Sequence, residues 1–210
     1  MSRLDLRGVD LVTDLLALGS ATLGESGAQP LGAGLAPVWP GARVAGPARP
    51  VRCAAGDNLE VHLAVAAAGS GEVLVVAIDG DPERGWWGEV LTVAAMSRGV
   101  AGLVIDACVR DTAAIAARAF PVWSAGIALP GAVKVTRGTS DAPIVIRGAT
   151  VAPGDWVVAD EDGVVAVEAD RLDEVRAAGR SRADREAEMF EELLRGRTTV
   201  ELLGLAPPPD

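Results

Sequence analysis

The 210-residue chain is poor in aromatic residues, histidine, cysteine and basic residues. It has no tyrosine and only two phenylalanines, so valine, leucine, isoleucine and alanine must supply most of the core. Twenty-five glycines and 13 prolines supply many turns. Acidic residues outnumber lysine and arginine by 29 to 19, which gives a net charge of −10. Most nucleic-acid-binding proteins instead carry an excess of basic residues on their binding surface. We therefore expect no nucleic-acid partner.

Long hydrophobic runs are also missing. No apolar run approaches the roughly 20 residues that a membrane-spanning helix needs, and the charged segment MSRLDLRGVDLV is unlike a signal peptide. Cys53 and Cys108 stand in apolar runs without CxxC spacing, which is typical of buried thiols in a reducing compartment. These features predict a cytoplasmic protein without a membrane partner.

Several catalytic motifs are absent. The chain has no GxGxxG, GxxxxGK[ST] or GxSxG, so a dinucleotide, P-loop or serine-hydrolase site is not indicated. His62 is the only histidine, which excludes multi-histidine metal sites, and its apolar neighbours favour an ordinary helix residue. DEDG at 160–163 is better explained by a hairpin turn at Gly163 than by a calcium loop.

The order of the predicted elements indicates an α/β fold. Helical spacing covers residues 4–19, and DNLEVHLAVAAAG predicts a helix that ends at Gly69. ARVAGPARPVRCA predicts a strand interrupted by turns. The strand EVLVVAIDG, the helix WWGEVLTVAAMSRG, the strand GVAGLVIDACVRD and the helix TAAIAARAF then alternate, which implies a central βαβ unit with parallel strands.

The second half of the chain is predicted to be rich in β-structure. PVWSAGIAL, APIVIRGATV, DWVVAD and GVVAVEAD each predict a short strand, and RLDEVRAAGRSRADREAEMFEELLRG predicts a helix that ends at Gly196. We predict a single domain over residues 1–205, with a helical C-terminal arm at about 170–205 and a flexible tail at 206–210.

A candidate site lies where a strand ends and a helix begins. Arg110 and Asp111 follow a predicted parallel strand, where open α/β folds place ligand sites. Gly88 and Glu89 open the preceding helix, whose free amides favour an anion. Carboxylates suit Mg²⁺ or Mn²⁺, and an arginine fork suits a small 2-oxo acid, so this set could stabilise an enolate. A purely structural Arg–Asp ion pair that closes the strand is the alternative.

The chain resembles the RraA-like family from about residue 9 to 205. PGARVAGPARPVRCAAGDN, GEVLVVAIDG, WWGEVLTVAAMSRGVAGLVIDACVRD, FPVWSAGIAL and VAPGDWVVADEDGVVAV follow the order and spacing of that family. The family includes class II 4-hydroxy-4-methyl-2-oxoglutarate/4-carboxy-4-hydroxy-2-oxoadipate aldolases and regulators of ribonuclease E activity, and was formerly labelled demethylmenaquinone methyltransferase. The resemblance implies a layered α/β/β/α sandwich.

The family's signature is an acidic residue, twenty intervening positions and an Arg-Asp pair. Glu89 and Arg110-Asp111 fill this signature. The resemblance implies that Asp111 ligates Mg²⁺ or Mn²⁺, that Glu89 holds a water of the metal, and that Arg110 binds the oxo acid. The amides near Val90 and Leu91, beside Gly88, then receive the substrate carboxylate.

A further residue is implied to come from a neighbouring subunit. The aldolases of this family use a glutamate of the C-terminal arm, for which Glu186 is the best match and Glu188 a weaker one. The resemblance thus implies a homotrimer or hexamer. Trp86 and Trp87 replace the family's small loop before Gly88, and we expect them to narrow or reshape the pocket.

Two functions follow from the resemblance, and a third possibility is an enzyme of the same fold that acts on an unknown oxo acid. One is a divalent-metal-dependent pyruvate aldolase that cleaves a 4-hydroxy-2-oxo acid to pyruvate and a second oxo acid, with oxaloacetate decarboxylation as a side activity. The other is a non-catalytic, protein-binding regulator of the kind that binds ribonuclease E. The C-terminal arm with Glu186 favours the enzyme.

Overall fold

The computed structural model describes residues 6–205, so the predicted tail at 206–210 lies outside the described residues. The helices are α1 (Leu6–Gly24), α2 (Leu59–Ala67), α3 (Glu89–Ser97), α4 (Thr112–Ala117), α5 (Leu172–Leu194) and α6 (Thr199–Leu202), with a 3-10 turn at Ala169–Arg171. The strands are β1 (Gln29–Pro30), β2 (Ala36–Pro37), β3 (Val44–Cys53), β4 (Val73–Ile78), β5 (Gly102–Val109), β6 (Val122–Ile127), β7 (Thr139–Ser140), β8 (Ile144–Ile146), β9 (Ala149–Val151), β10 (Trp156–Ala159) and β11 (Val164–Val167).

Most strands join one mixed sheet in the order β1-β11-β10-β3-β4-β5-β6-β2, with β7 on the side of β3. Strands β3 to β6 pair in parallel, and α2, α3 and α4 connect them. Strands β10, β11 and β1 pair antiparallel. The α/β class, the central βαβ unit and the β-rich second half are therefore confirmed.

The sheet curls so that its two halves face each other. Alternate residues of β4 point to opposite sides: Leu74 packs with α2, α3 and α4, whereas Val75 packs with β10 and β11. On β10, Val157 faces this inner core and Val158 packs against α1 and α5. The layers thus run helix, sheet, sheet, helix, which is the predicted α/β/β/α sandwich.

Strand β3 is continuous, although turns were expected within ARVAGPARPVRCA. Its pairing changes at the first proline: Pro47 is the last residue that pairs with β10, and Ala48 is the first that pairs with β4. One strand therefore serves both halves of the sheet. The turn prediction was wrong because a proline within a strand is tolerated where the ladder changes partners.

The segment APIVIRGATV is a hairpin rather than the single strand expected. Arg147 and Gly148, with φ of 48° and 84°, form the turn between β8 and β9. Two successive positive φ values are typical of a type I′ hairpin turn. The predicted hairpin at DEDG is confirmed, since Asp160 donates its N–H to the Gly163 carbonyl between β10 and β11.

The C-terminal arm is helical as predicted. Helix α5 packs against α1, and its small residue Gly179 lies against Leu18. Its far end is less covered, because Phe190 and Leu194 are exposed. Within residues 6–205, every helix is too short or too polar to cross a membrane.

Candidate active site

The end of β5 and the start of α3 meet. The backbone N–H of Glu89 donates to Oδ2 of Asp111 at 3.0 Å, and the N–H of Arg110 donates to the Trp87 carbonyl at 2.9 Å. Nε of Arg110 lies 3.8 Å from the same Asp111 oxygen. The fold therefore brings together the acidic residue and the Arg-Asp pair that the sequence separates by twenty positions.

Gly88 is required by the close approach of Asp111. A Cβ at position 88 would lie 2.5 Å from Asp111 Oδ2 and 3.2 Å from Cγ of Arg110. Gly88 has an extended backbone, so the requirement is one of space and not of conformation. A side chain at position 88 would therefore displace the Asp111 carboxylate.

Free amides point out of the first turn of α3. The N–H of Thr92 makes the first intrahelical bond, to the Gly88 carbonyl at 3.1 Å. The N–H groups of Val90 and Leu91 precede it and have no partner within the helix. Since the helix dipole also favours negative charge at this end, these two amides suit a carboxylate.

Asp111 has an uncommon backbone conformation. Its φ of 57° and ψ of 35° lie in the left-handed region, where aspartate is tolerated better than most residues. This conformation ends β5 sharply and starts α4 at the next residue. It turns the Asp111 carboxylate towards α3 and leaves the side chain partly exposed.

The Glu89 side chain has a partner that the sequence did not indicate. Its Oε1 atom accepts hydrogen bonds from Nε and Nη2 of Arg118, at 3.1 and 2.6 Å. Arg118 caps the C-terminal end of α4. The structure therefore places the backbone of Glu89 against Asp111 and its carboxylate against Arg118.

A cavity of about 170 Å³ opens beside Arg110 and Asp111. The chain has one histidine, one lysine and one asparagine, and His62, Lys134 and Asn58 all line this cavity. Neither Lys134 nor Asn58 was predicted from the sequence as a site residue. A single lysine among eighteen arginines was the signal available for Lys134.

The inner wall of the cavity is formed by α2 and the loop before α3. Nδ2 of Asn58 donates to the Trp86 carbonyl at 2.9 Å, and its buried Oδ1 has no partner within the described part of the chain. Burial lowers the pKa of His62, and the nearby charge of Lys134 lowers it further. His62 is thus a helix residue, as expected, but a neutral one at the cavity.

Trp86 and Trp87 are both buried, and of these two only Trp86 lines the cavity. Trp87 stacks on Phe120 with a centroid distance of 6.1 Å, and its Nε1 donates to Oγ1 of Thr92 at 2.7 Å. Trp86 therefore helps to shape the pocket, whereas Trp87 supports the start of α3 from behind.

The donor atoms suit a hard divalent ion that keeps most of its water. In residues 6–205, no three histidine, cysteine, aspartate or glutamate side chains gather as a metal site. Mg²⁺ is usually held by only one or two carboxylates with waters and substrate. Asp111 supplies one carboxylate at the cavity, whereas the Glu89 carboxylate is bound by Arg118. The space left by the missing Cβ of Gly88 keeps the Asp111 carboxylate beside the cavity. The residues present thus fit Mg²⁺ or Mn²⁺.

The other predicted residues lie away from this cavity. Glu186 pairs with Arg182 on α5 at 2.8 Å, and neither Glu186 nor Glu188 lines the cavity of its own chain. Burial raises the pKa of the Cys53 thiol to about 12 and also raises the pKa of Cys108. Both cysteines are free thiols, and Cys53 is the fully buried one.

Comparisons with known proteins identify the family of the chain. The sequence model of the RraA-like family, described as Aldolase/RraA, matches residues 14–166. A Halalkalibacterium halodurans protein provisionally named 4-hydroxy-4-methyl-2-oxoglutarate aldolase is 36% identical over 146 residues, or 69% of this chain and 70% of that protein. A solved structure of an uncharacterised Pseudomonas syringae protein has a TM-score of 0.81 and 27% identity, over 90% of this chain and 91% of that chain.

A second solved structure bears on the arm. Streptomyces coelicolor RraAS2, described as an unusual member of the RNase ES inhibitor RraA family, has a TM-score of 0.71 and 27% identity over 94% of this chain and 100% of its own. Coverage of 94% of 210 residues leaves only about 13 residues unmatched, so part of the 23-residue helix α5 must be matched, and the arm alone does not separate enzyme from inhibitor. The family match at 14–166 ends before α5 and contains the whole Glu89 to Asp111 signature. From this match and these relatives, the chain belongs to the RraA-like family.

Proposed function

We propose that this protein is a divalent-metal-dependent aldolase that cleaves a 4-hydroxy-2-oxo acid, such as 4-hydroxy-4-methyl-2-oxoglutarate, to pyruvate and a second oxo acid. Decarboxylation of oxaloacetate, which passes through the same enolate of pyruvate, is the proposed side activity. The observation that carries the proposal is the contact of Asp111 with the N–H of Glu89, which places Arg110 and Asp111 at the amide end of α3.

Asp111 would hold Mg²⁺ or Mn²⁺. Glu89, whose carboxylate accepts hydrogen bonds from Arg118 in this structure, would hold a water of the ion. When bound there, the ion supplies a Lewis acid that polarises the keto group of the substrate. The small number of protein donors leaves room for substrate oxygens, as is usual for Mg²⁺ sites.

Arg110 would bind the oxo acid from the other side. Its planar guanidinium can donate to a carboxylate oxygen and to the keto oxygen together. As the C3–C4 bond breaks, its electron pair moves towards the keto oxygen, and the fixed charge of Arg110 stabilises the developing enolate. The free N–H groups of Val90 and Leu91 would hold the substrate carboxylate.

The size and charge of the cavity favour a small diacid. Its volume of about 170 Å³ is below the roughly 300–1,000 Å³ typical of pockets for larger ligands. Two cationic side chains, Arg110 and Lys134, line it. We therefore assign the 2-oxo acid end of the substrate to Arg110 and the second carboxylate to Lys134.

A neighbouring subunit would complete the site. Exposed apolar side chains surround the cavity, including Val90 on α3 and Val133 and Val135 on the opposite rim. Surfaces of this kind mark protein contacts, and a homotrimer or hexamer would cover them. The arm of the neighbour would then bring Glu186 to the cavity. Its carboxylate would take the proton of the C4 hydroxyl, which becomes the carbonyl of the second oxo acid as the C3–C4 bond breaks, and would return a proton to C3 of the enolate to give pyruvate.

The match to RraAS2 over 94% of the chain favours one alternative function. In that case the protein is a non-catalytic regulator that binds a ribonuclease of the RNase E type. An acidic chain of net charge −10 suits a basic protein surface.

Pyruvate release distinguishes these functions. The purified protein is assayed with a panel of 4-hydroxy-2-oxo acids and with oxaloacetate, with added Mg²⁺ and after chelation. The aldolase proposal expects metal-dependent pyruvate formation that Asp111→Ala abolishes. Pyruvate formation that chelation leaves unchanged contradicts the metal mechanism, and no turnover together with ribonuclease inhibition supports the regulator.

A further inference from the structure

A buried carboxylate lies outside the proposed catalytic residues. Glu60 is 1% exposed in the first turn of α2, a helix that otherwise buries only aliphatic residues. Fully buried glutamates are rare because removing the charge from water is costly unless it is paired. A buried Glu60 carboxylate therefore needs a partner of opposite charge.

That partner is Arg137, which approaches from the surface. Nε of Arg137 lies 2.8 Å from Oε2 of Glu60, and Nη2 lies 3.4 Å from Oε1. The hydroxyl of Ser140 donates to Oε1 at 3.0 Å. The hydrogen bonds from Arg137 lower the pKa of Glu60 despite its burial. Since the Arg137 side chain is 68% exposed, the pair joins the interior of α2 to a surface segment.

The surface segment is residues 131–140, which we call the strap. Asp57 holds its middle, because Oδ2 accepts the N–H groups of Val135, at 2.7 Å, and Thr136. Before that point, the N–H of Asn58 donates to the Val133 carbonyl at 3.0 Å. Asp57, like Glu60, is buried at the start of α2.

Apolar burial does not hold the strap in place. Val133 and Val135 are 57% and 81% exposed, and the strap has no regular structure before β7 at its end. Its attachment to the described residues of α2 is therefore mainly polar. Charge-assisted hydrogen bonds are directional, so they fix the position of a segment more closely than a loose apolar contact does.

The strap also forms one wall of the cavity. Gly131, Ala132 and Lys134 line it, and Lys134 lies one residue before the first strap amide bound to Asp57. Among residues 6–205, the ammonium of Lys134 makes only a long contact of 3.4 Å, to the Ala132 carbonyl of the strap itself. The place of Lys134 over the cavity thus depends on a backbone held by Asp57 and Asn58, just before α2, and by Glu60 through Arg137.

We propose that the Glu60–Arg137 pair is a clasp that fixes the strap, so that Arg137 is a positioning residue for binding of the second substrate carboxylate by Lys134. This inference rests on the proposed function, because it assumes that the cavity binds a substrate with two carboxylates. Arg137 acts through Lys134 and touches neither substrate nor metal.

The test compares Arg137→Met with wild type, using 2-oxoglutarate as a diacid that lacks the cleavable 4-hydroxy group. Calorimetry in the presence of Mg²⁺ measures its affinity, and hydrogen exchange measures protection of the Val135 and Thr136 amides. We expect faster exchange at both amides and affinity lower by about tenfold, the size of one lost charged hydrogen bond. Arg137→Lys should recover part of both effects. Arg195→Met removes a similarly exposed arginine from an Arg–Glu pair on the arm and should change neither.

A double variant shows whether Arg137 acts through Lys134. Lys134→Met should weaken 2-oxoglutarate binding by itself, and adding Arg137→Met should then cause no further loss. Additive losses, unchanged affinity in Arg137→Met, or no binding of 2-oxoglutarate by wild type would each overturn the inference. If Arg137→Met destabilises the fold, Ser140→Ala removes one bond to Glu60 and should give the same changes on a smaller scale. Diacid binding without any pyruvate release would instead reject only the aldolase proposal.

Discussion

Oδ2 of Asp111 accepts the backbone N–H of Glu89 at 3.0 Å, although the two residues are separated by a helix and a strand. This contact explains the spacing of the family signature. Helix α3 and strand β5 occupy nearly all the residues between Glu89 and Arg110, so the chain leaves the site and returns to it through one helix–strand unit. A change in the length of either element would separate the two ends.

The contact between Gly88 and Asp111 makes a sharp prediction. Gly88→Ala places a Cβ 2.5 Å from Asp111 Oδ2, so the carboxylate must move. We expect pyruvate formation to fall at least about 100-fold, since displacements near 1 Å have that effect on catalysis. Gly24→Ala is the matched control, because its Cβ would meet only Val165 at an ordinary 3.7 Å. Equal activity of the two variants would contradict the role of the close approach.

Asp111→Asn separates charge from conformation at the metal site. Asparagine tolerates the left-handed backbone and still accepts the Glu89 N–H, so the melting temperature should change little. Loss of the charge should weaken Mn²⁺ binding, measured by electron paramagnetic resonance, by at least about 100-fold together with the metal-dependent rate. Unchanged Mn²⁺ affinity would show that Asp111 is not the ligand.

The residues that stand at the ends of regular helices and strands were predictable from the sequence. Glu89 and the Arg110-Asp111 pair stand at helix and strand ends that hydrophobic periodicity locates. Arg118 and Arg137 were missed because their partners lie far away in the chain; Glu60 and Arg137 are 77 residues apart. No periodic pattern in the sequence identifies such pairs, because their members meet only when the chain folds. Lys134 was missed because folding alone brings it to the cavity beside Arg110 and Asp111.

The fold shows the same division. Regular helices such as α3 and α5 were predicted because capping glycines and apolar spacing act over a few residues. Strand β3 and the β8–β9 hairpin were misjudged where two strand partners, or a turn formed by Arg147 and Gly148, decide the structure. Those outcomes depend on pairing, which local sequence does not encode.

A shared site between subunits can be tested by complementation. Asp111→Ala and Glu186→Ala should each be inactive, for loss of the metal ligand and of the proton-transfer group. When the two variants are unfolded, mixed and refolded, some sites will combine an intact Asp111 with an intact Glu186 of the neighbour. We therefore expect activity to return in the mixture. Failure of the mixture, or full activity of Glu186→Ala with loss in Glu188→Ala, would contradict the assignment of Glu186.

Neutral His62 gives a pH dependence of stability. Its pKa lies below the ordinary 6.5 in the folded protein, so the unfolded chain binds more protons just below that pH. Stability must then fall as the pH decreases through about 6.5, before the carboxylates titrate. His62→Gln should show a smaller drop in melting temperature between about pH 7.5 and pH 5.5 than wild type. An identical drop in both proteins would mean that His62 titrates normally.

Arg110→Lys tests the central claim most directly, because it keeps the charge and removes the planar fork. An Arg–Asp pair that only closes a strand would tolerate lysine, with a small loss of melting temperature and near-normal turnover. If Arg110 holds the oxo acid beside a metal on Asp111, the substitution by lysine removes one charged contact to the developing enolate. That loss corresponds to about 2–4 kcal/mol, or about 30- to 1000-fold in rate. The measurement is kcat/KM for pyruvate release together with the melting temperature: we predict a large fall in kcat/KM at an unchanged melting temperature, and an unchanged kcat/KM would contradict the account.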